Sequence, residues 1–241
     1  MKGIVLSGGS GTRLRPLTKI TSKQLLPIYN RPMIYYPLNT LITAGIKEIL
    51  IIVAPERAGD YLNLLGSGKQ FGVKFTYEIQ DKPAGLPEAF TIGENFIDDD
   101  NVTMILGDNI FEDDFSEDIR NFKTGAKVFA KKVTDPERFG VVKFDKNMHA
   151  VEVQEKPQQW MSDYALTGLY VYDHRVVQAA KDCKPSERGE LEIVDLHKFY
   201  LKINELDVAM VHGEWLDAGT FESLYRAQEL ARQKLDHKMV I

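Results

Sequence analysis

The chain has 241 residues, of which 44% are hydrophobic and 27% are charged, a composition typical of a globular protein with a well-buried core. Its formal net charge of -5 and its lack of basic blocks argue against nucleic-acid binding. No apolar run reaches the roughly 20 residues that span a bilayer, and the single cysteine excludes an internal disulfide, so we expect a cytoplasmic protein without membrane contact.

The first 110 residues alternate between strand and helix patterns. Apolar, β-branched runs predict strands over residues 2–7, 48–54, 74–80 and 102–108. The segments between them predict helices over residues 32–46, 55–67 and 85–97, each with a proline near its start. Pro37 should kink or shorten the first of these helices. The alternation predicts a parallel sheet with helices on both faces.

The second half of the chain shows strand patterns separated by short turns. Strands are predicted over residues 126–133, 140–145, 149–156, 164–173 and 206–212, and helices over residues 174–182, 190–203 and 221–236. These strands are more antiparallel in character, and no Gly/Ser/Pro-rich linker separates them from the first half. We therefore predict a single α/β domain over residues 1–241, with a Rossmann-like mixed, mainly parallel sheet flanked by helices.

The segment from Ser7 to Lys23, SGGSGTRLRPLTKITSK, is rich in glycine and cations. It matches neither the Walker loop nor the dinucleotide fingerprint, because the glycine spacing of both motifs is missing. It follows a predicted buried strand, however, and ligands of α/β sheets bind beyond such strand ends. Its glycines can leave backbone N–H groups free for an anion, and Arg13 and Lys23 add positive charge. The alternative is a tight strand-to-helix turn without a ligand.

This loop and the following QLLPIYNRPMIYYPLNTLITAGI resemble the sugar-nucleotide pyrophosphorylases, which are nucleotidyltransferases acting on sugar 1-phosphates. Further blocks similar to that family follow over nearly the whole chain: QDKPAGLPEAF, LGDNIF, RFGVVKFD, VQEKP, LTGLYVYD, RGELEIVDL and EWLDAGTFESL. The resemblance implies the nucleotide-diphospho-sugar transferase type of α/β fold. It also implies a nucleotide-binding half at about residues 1–125 and a sugar-phosphate-binding half at about residues 126–241.

The reaction that the resemblance implies is transfer of a nucleotide to a sugar phosphate. The phosphate of glucose 1-phosphate attacks the α-phosphorus of dTTP directly, and dTDP-glucose and pyrophosphate are formed. Mg²⁺ is the implied cofactor, dTDP-rhamnose biosynthesis the implied pathway and a homo-oligomer the implied assembly. The attacking phosphate has a second pKa of about 6 and is largely anionic at neutral pH, so no general base is needed. The site should therefore supply cations and metal-binding carboxylates.

The nucleotide site of the family falls mainly in the first half of the chain. The residues implied in nucleotide binding are Gly8, Gly9, Ser10, Gly11, Thr12, Arg13, Lys23, Gln80, Gly85, Leu86 and Asp108. Asp108 and Asp217 are the implied metal ligands, and Mg²⁺ takes one or two carboxylates. Either aspartate could instead form a turn, and their meeting in space is implied by the resemblance alone.

The sugar-phosphate site of the family falls mainly in the second half. The residues implied in it are Asn109, Gly140, Glu155, Lys156, Thr167, Tyr170 and Arg188. Lys156 corresponds to the lysine that binds the sugar phosphate, and together with Arg13, Lys23, Asp108 and Asp217 it completes the implied catalytic set. Arg188 could assist with phosphates, or it could simply precede a helix.

Three other functions compete with this interpretation. UTP could replace dTTP, because the two bases differ by one methyl group, which an apolar pocket discriminates by only ~1–3 kcal/mol. A non-catalytic sugar-nucleotide-binding regulatory protein on the same scaffold should have lost some of the catalytic residues, and all are present. A glycosyltransferase would not explain a glycine-rich triphosphate loop after the first strand.

The last predicted helix lies close to the end of the chain. Many members of the family continue with a helical extension that helps to form a second nucleotide site for feedback. We therefore expect weak or no inhibition by dTDP-rhamnose.

Overall fold

The computed structural model describes residues 1–9 and 11–241. Its strands are β1 Lys2–Ser7, β2 Pro27–Ile28, β3 Arg31–Pro32, β4 Glu48–Val53, β5 Lys74–Ile79, β6 Val102–Leu106, β7 Asn109–Phe111, β8 Ala126–Lys132, β9 Gly140–Phe144, β10 Ala150–Glu155, β11 Tyr164–Tyr172, β12 Leu206–Met210 and β13 Trp215–Asp217. Its α-helices are α1 Tyr35–Thr43, α2 Ala58–Leu65, α3 Glu88–Ile92, α4 Glu94–Ile97, α5 Ser116–Asn121, α6 Val176–Asp182, α7 Ile193–Lys202 and α8 Phe221–Leu230.

A large mixed sheet runs through the molecule in the order β5-β4-β1-β6-β11-β8-β12. Strands β5, β4, β1 and β6 are parallel to one another, and β11 pairs antiparallel with both β6 and β8. The hairpin of β9 and β10 joins the beginning of β11. The prediction of a mixed, mainly parallel sheet flanked by helices is confirmed, and the sheet is continuous across both halves of the chain.

The order of the strands reverses between β1 and β6. From β1 the chain runs outward through β4 to β5, and it then returns to the other side of β1 as β6. In open α/β sheets, the helices that follow two such strands leave on opposite faces and open a crevice at the carboxyl ends of the strands. The fold therefore provides a binding crevice beyond Ser7 and Leu106.

Side chains of the central strands alternate between two hydrophobic layers, as expected for strands buried on both faces. Ile4 and Leu6 of β1 pack with α3, α6 and α7 on one face of the sheet. Val5 packs with α1, α2 and α5 on the other face. A third cluster, which includes Leu216 and Leu224, joins α8 to β13 and so fixes the position of that short strand.

Three of the predicted helices differ from the observed ones. The helix predicted over residues 221–236 is α-helical only to Leu230, after which Ala231–Leu235 form a π-helical turn. The helix predicted over residues 85–97 is divided into α3 and α4, which meet at Gly93, a residue type with low helix propensity. Helix α1 begins at Tyr35, so Pro37 falls in its first turn, where a missing N–H breaks no helical hydrogen bond. Within residues 1–9 and 11–241, no helix is both long and apolar enough to cross a membrane.

Candidate active site

A cleft of about 390 Å³ opens at the switch point between β1 and β6. The predicted site residues that line it are Gly9, Arg13, Lys23, Gln80, Gly85, Leu86, Asp108, Asn109, Gly140, Glu155, Lys156, Thr167, Tyr170, Arg188 and Asp217. Gly8, Gly11 and Thr12 are not among the lining residues, and Ser10 lies outside the described part of the chain. One cleft thus contains residues from both predicted halves of the site.

The glycine-rich loop continues from β1 into three short 3₁₀ turns. Arg13 lies on the first of these turns and Lys23 on the third. The Thr18 hydroxyl donates a hydrogen bond of 2.7 Å to the carbonyl oxygen of Gly11, which closes the loop on itself. Gly8 permits a close approach, because a Cβ atom there would lie 2.1 Å from Oε1 of Gln80. Gly8 therefore makes room for Gln80 rather than lining the cleft.

Gln80 is buried at the end of β5 with its amide in a fixed orientation. Its Nε2 donates to Oε2 of Glu88 at 2.6 Å, and the same oxygen accepts the backbone N–H of Ala84 at 3.1 Å. This arrangement leaves Oε1 of Gln80 as the amide atom that can accept a hydrogen bond from a ligand. The glutamine predicted to bind the nucleotide base therefore lines the cleft with its amide held in place by Glu88.

Asp108 and Asp217 are brought together by a small antiparallel ribbon of β7 and β13. In this ribbon Asn109 pairs with Asp217, and the backbone N–H of Ala218 donates to the carbonyl oxygen of Asp108 at 3.0 Å. Asp108 lies between β6 and β7, so the carboxyl end of the parallel sheet and the end of β13 meet at one place. The sequence could not show this pairing, because each strand of the ribbon has only three residues.

The charges of these groups are strongly linked. The Lys23 ammonium group donates a hydrogen bond to Oδ2 of Asp108. Burial alone would raise the pKa of Asp108, but the ammonium group outweighs burial and lowers the pKa below its usual value. Burial, and after it the charge of Asp108, raise the pKa of Asp217 to about 6. Burial alone would lower the pKa of Lys23, but the charges of Asp108 and Asp217 outweigh burial and raise it.

The donor set fits a hard divalent cation that binds through few carboxylates. Within residues 1–9 and 11–241, no three His, Cys, Asp or Glu side chains converge as a metal-binding group. Asp108 and Asp217 supply two carboxylates, and Oδ1 of Asp217 is buried without a hydrogen-bond partner among the described residues. Mg²⁺ needs only one or two carboxylates when phosphate oxygens and waters complete its shell.

A second group of charged side chains lines the cleft around Glu155. Lys156 Nζ lies 3.5 Å from Oε1 of Glu155, whose pKa is raised mainly by burial. Arg188 donates to both carboxylate oxygens of Glu192, at 2.8 and 2.7 Å, and lies 3.4 Å from Glu155. Arg188 is therefore held by carboxylates in the cleft wall. Its predicted contact with phosphate stays a prediction.

Sequence reasoning missed several residues that line the cleft, and three of them form hydrogen bonds that hold neighbouring side chains in place. Gln24 is 3% exposed and accepts the Tyr61 hydroxyl at 3.2 Å. Glu192 holds Arg188 through an i,i+4 pair, a spacing that could have been noticed. Trp215 donates its indole N–H to Oδ1 of Asn109 at 2.7 Å, and nothing in the sequence indicates this contact.

Comparison with known proteins supports the resemblance that the sequence motifs indicated. A family model described as Nucleotidyl transferase matches residues 2–234. A glucose-1-phosphate thymidylyltransferase of Neisseria meningitidis is 53% identical over 233 residues, which covers 94% of this chain and 81% of that relative.

Two solved structures have folds similar to that of this chain. UDP-glucose pyrophosphorylase in complex with UDP-glucose has the same fold, with a TM-score of 0.85 and 22% identity over 97% of this chain and 98% of that chain. A Bacillus anthracis protein, provisionally named a glucose-1-phosphate thymidylyltransferase and solved with sucrose, gives a TM-score of 0.91 and 48% identity over 97% of this chain and 96% of that chain. The chain therefore belongs to the nucleotidyl transferase family and, within it, to the glucose-1-phosphate thymidylyltransferases, which are nucleotidyltransferase enzymes.

Proposed function

We propose that the chain transfers a thymidylyl group from dTTP to glucose 1-phosphate in a Mg²⁺-dependent reaction that yields dTDP-glucose and pyrophosphate. The observation that carries the proposal is the meeting of Asp108, Asp217, Lys23 and Arg13 at the switch point of the sheet. The names of the relatives supply the nucleotide and the sugar. Asp108 and Asp217 would hold the metal.

The nucleotide occupies the part of the cleft formed by the first half of the chain. Gln80 Oε1 accepts the N3–H of a thymine or uracil ring, a hydrogen that cytosine lacks, because Glu88 fixes the amide through one of its two N–H groups and the oxygen stays available as an acceptor. Arg13 and Lys23 face the phosphates, where a guanidinium fork and an ammonium group offset the charge of the triphosphate.

The sugar phosphate lies toward Glu155 and Lys156. Its phosphate group is the nucleophile of the reaction. A new bond forms between its phosphate oxygen and the α-phosphorus, while the bond from the α-phosphorus to the bridging oxygen breaks and pyrophosphate leaves with that oxygen. The protein aligns two mutually repelling anions and offsets the charge that develops on the leaving group. A bound Mg²⁺ would add charge neutralisation on the triphosphate.

The test is a matrix of substrates followed by pyrophosphate release and identification of the product by mass spectrometry. dTTP, UTP, CTP and GTP are combined with the 1-phosphates of glucose, galactose, mannose and glucosamine, each with Mg²⁺ and with EDTA. We expect dTTP with glucose 1-phosphate to give the highest kcat/KM. The kcat/KM with UTP should be lower by about 10- to 200-fold, since contacts to one methyl group contribute ~1–3 kcal/mol. Binding of dTTP without pyrophosphate release for any sugar would instead support a regulatory protein.

A further inference from the structure

The two carboxylate oxygens of Asp108 are both held by neighbouring side chains. Lys23 donates to Oδ2, and Nδ2 of Asn109 donates to Oδ1 at 3.1 Å. A metal-binding carboxylate gains affinity when its rotamer is fixed before the ion arrives, because no ordering cost is then added to binding. The orientation of Asn109 is therefore part of the candidate metal site.

Asn109 is itself oriented by two donors. It is 2% exposed, and its Oδ1 accepts the indole N–H of Trp215 at 2.7 Å and the backbone N–H of Gly168 at 3.0 Å. Turning the amide over would place its NH₂ group against both donors and leave Asp108 without its hydrogen bond. These two contacts thus fix the Nδ2 atom on the side of Asp108.

The surrounding structure permits this orientation of Asn109 only because residue 168 is a glycine. A Cβ atom at Gly168 would lie 2.5–2.8 Å from the amide atoms of Asn109. Trp215 and Asp217 are separated by one residue on β13, so both side chains project to the same side of the strand, and both line the cleft. The Trp215 ring also packs on Phe139, with ring centres 5.1 Å apart.

We propose that Trp215 is a positioning residue for the metal site, acting through its indole N–H on Asn109 and through Asn109 on Asp108. This inference rests on the proposed function, because it concerns the metal ion that the reaction uses. Strand β13 would then contribute two residues to the metal site. Asp217 supplies a ligand, and Trp215 sets the orientation of the other ligand.

The test compares the two tryptophans of the chain. Trp215→Phe keeps an aromatic ring against Phe139 and removes the N–H. Trp160→Phe is the matched control, since Trp160 is 75% exposed and donates its indole N–H to Asp163 at 2.9 Å, away from the cleft lining. The readout is the Kd of dTTP measured by calorimetry with Mg²⁺ and with EDTA.

The ratio of these two Kd values isolates the contribution of the metal. We expect Trp215→Phe to reduce the Mg²⁺-dependent tightening about tenfold, the scale of other supporting hydrogen bonds at metal sites, with the Kd in EDTA unchanged. Trp160→Phe should match the wild type in both conditions. A merely structural role for Trp215 would instead weaken dTTP binding equally with and without Mg²⁺, and that result would overturn the proposal.

A double-mutant cycle with Asn109→Ala tests the route of the effect. If Trp215 acts through Asn109, the double variant loses no more Mg²⁺-dependent tightening than Asn109→Ala alone. Additive losses would overturn the proposal. Should Trp215→Phe not fold, as judged by circular dichroism, Asn109→Ala decides alone, and an unchanged Mg²⁺ effect in that variant would contradict the role.

The proposed function fails in a different way. A wild-type chain whose Kd for dTTP ignores Mg²⁺ would overturn the metal assignment and the role of Trp215 with it. A wild type that responds to Mg²⁺, together with a Trp215→Phe variant that responds equally, overturns the role of Trp215 and leaves the proposed reaction intact.

Discussion

Asp108 receives a hydrogen bond on each carboxylate oxygen, from Lys23 on one side and from Asn109 on the other. Lys23 balances the charge of Asp108, whereas Asp217 is left with a pKa raised to about 6 by burial and by its neighbour. A divalent cation placed between these carboxylates would relieve both the burial and the repulsion. At the scale of single residues, this arrangement is the one that we propose binds a cation and the phosphates of the nucleotide.

Asp108→Asn tests the residue that we assign to the metal. The substitution keeps the shape of the side chain and removes its charge, so kcat should fall by about 10²-fold or more. Asp99→Asn, on an exposed aspartate away from the cleft, is the control and should retain wild-type kcat. Equal rates for Asp108→Asn and the control would show that the carboxylate has been given the wrong role.

Lys156→Ala tests the sugar-phosphate end of the cleft. A charge-assisted hydrogen bond to phosphate contributes about 1.5–3 kcal/mol, and Lys156 is partly exposed, so KM for glucose 1-phosphate should rise by about tenfold with a smaller change in kcat. Lys146→Ala on an exposed turn serves as the matched control. A fall in kcat with KM unchanged would place Lys156 at the reacting atoms rather than at the binding step.

At the scale of elements, the ribbon of β7 and β13 is the feature on which the site depends most. It pairs Asn109 with Asp217 in register, so a one-residue slip would turn Asp217 away from the cleft. Helix α8 packs on it through the third hydrophobic cluster. The geometry of the candidate site is therefore secured by a helix that contributes no side chain to the cleft lining.

The end of β11 carries a structural carboxylate that predicts the pH dependence of stability. Asp173 accepts hydrogen bonds from the Gly125 N–H at 2.7 Å and the Tyr200 hydroxyl at 2.9 Å, and it pairs with Arg175. Burial alone would raise its pKa, but Arg175 and these donors lower it to about 2. Since the folded pKa lies below the unfolded one, this stabilisation is present above about pH 4 and is lost as pH falls toward 2.

Asp173→Asn should therefore lower the free energy of unfolding by about 2 kcal/mol at pH 7, and by progressively less between about pH 4 and pH 2. Urea unfolding followed by circular dichroism across that range measures the difference from the wild type. Asp99→Asn again provides the exposed control. A difference that stays constant with pH would mean that the variant acts through packing and not through the charge of Asp173.

The sequence predicts some of these elements much better than others. Strands β1, β4 and β6 are nearly continuous apolar runs between turn residues, and their predicted bounds agree with the structure within two residues. Strands β2, β3, β7 and β13 have two or three residues each, which is too short for any periodicity. The division between α3 and α4 depends on one glycine inside an otherwise helical pattern.

At the scale of the whole molecule, the sheet joins the two halves of the chain through the antiparallel pairing of β11 with β6. This pairing places Thr167 and Tyr170 of the second half next to Asp108 of the first half in one cleft. A ligand that spans the cleft would contact both halves. The fold is therefore suited to hold two substrates end to end.

The resemblance to a family predicted about half of the residues that line this cleft, whereas their geometry needed the structure. Motif spacing cannot show that Gly8 serves Gln80, or that Trp215 contacts Asn109 across the ribbon, because both contacts join segments far apart in sequence. Arg188 shows the same limit. From its motif, Arg188 could either assist with phosphates or simply precede a helix. The structure places it between carboxylates.

The central claim is direct transfer from dTTP to glucose 1-phosphate in a Mg²⁺-dependent site, and stoichiometry tests it most directly. Wild-type protein is incubated with dTTP, with and without glucose 1-phosphate and with and without Mg²⁺, and pyrophosphate and dTDP-glucose are measured in the same samples. The account predicts equal amounts of both products only when all three components are present. Pyrophosphate released from dTTP without the sugar phosphate, or no release from the complete mixture, would contradict it.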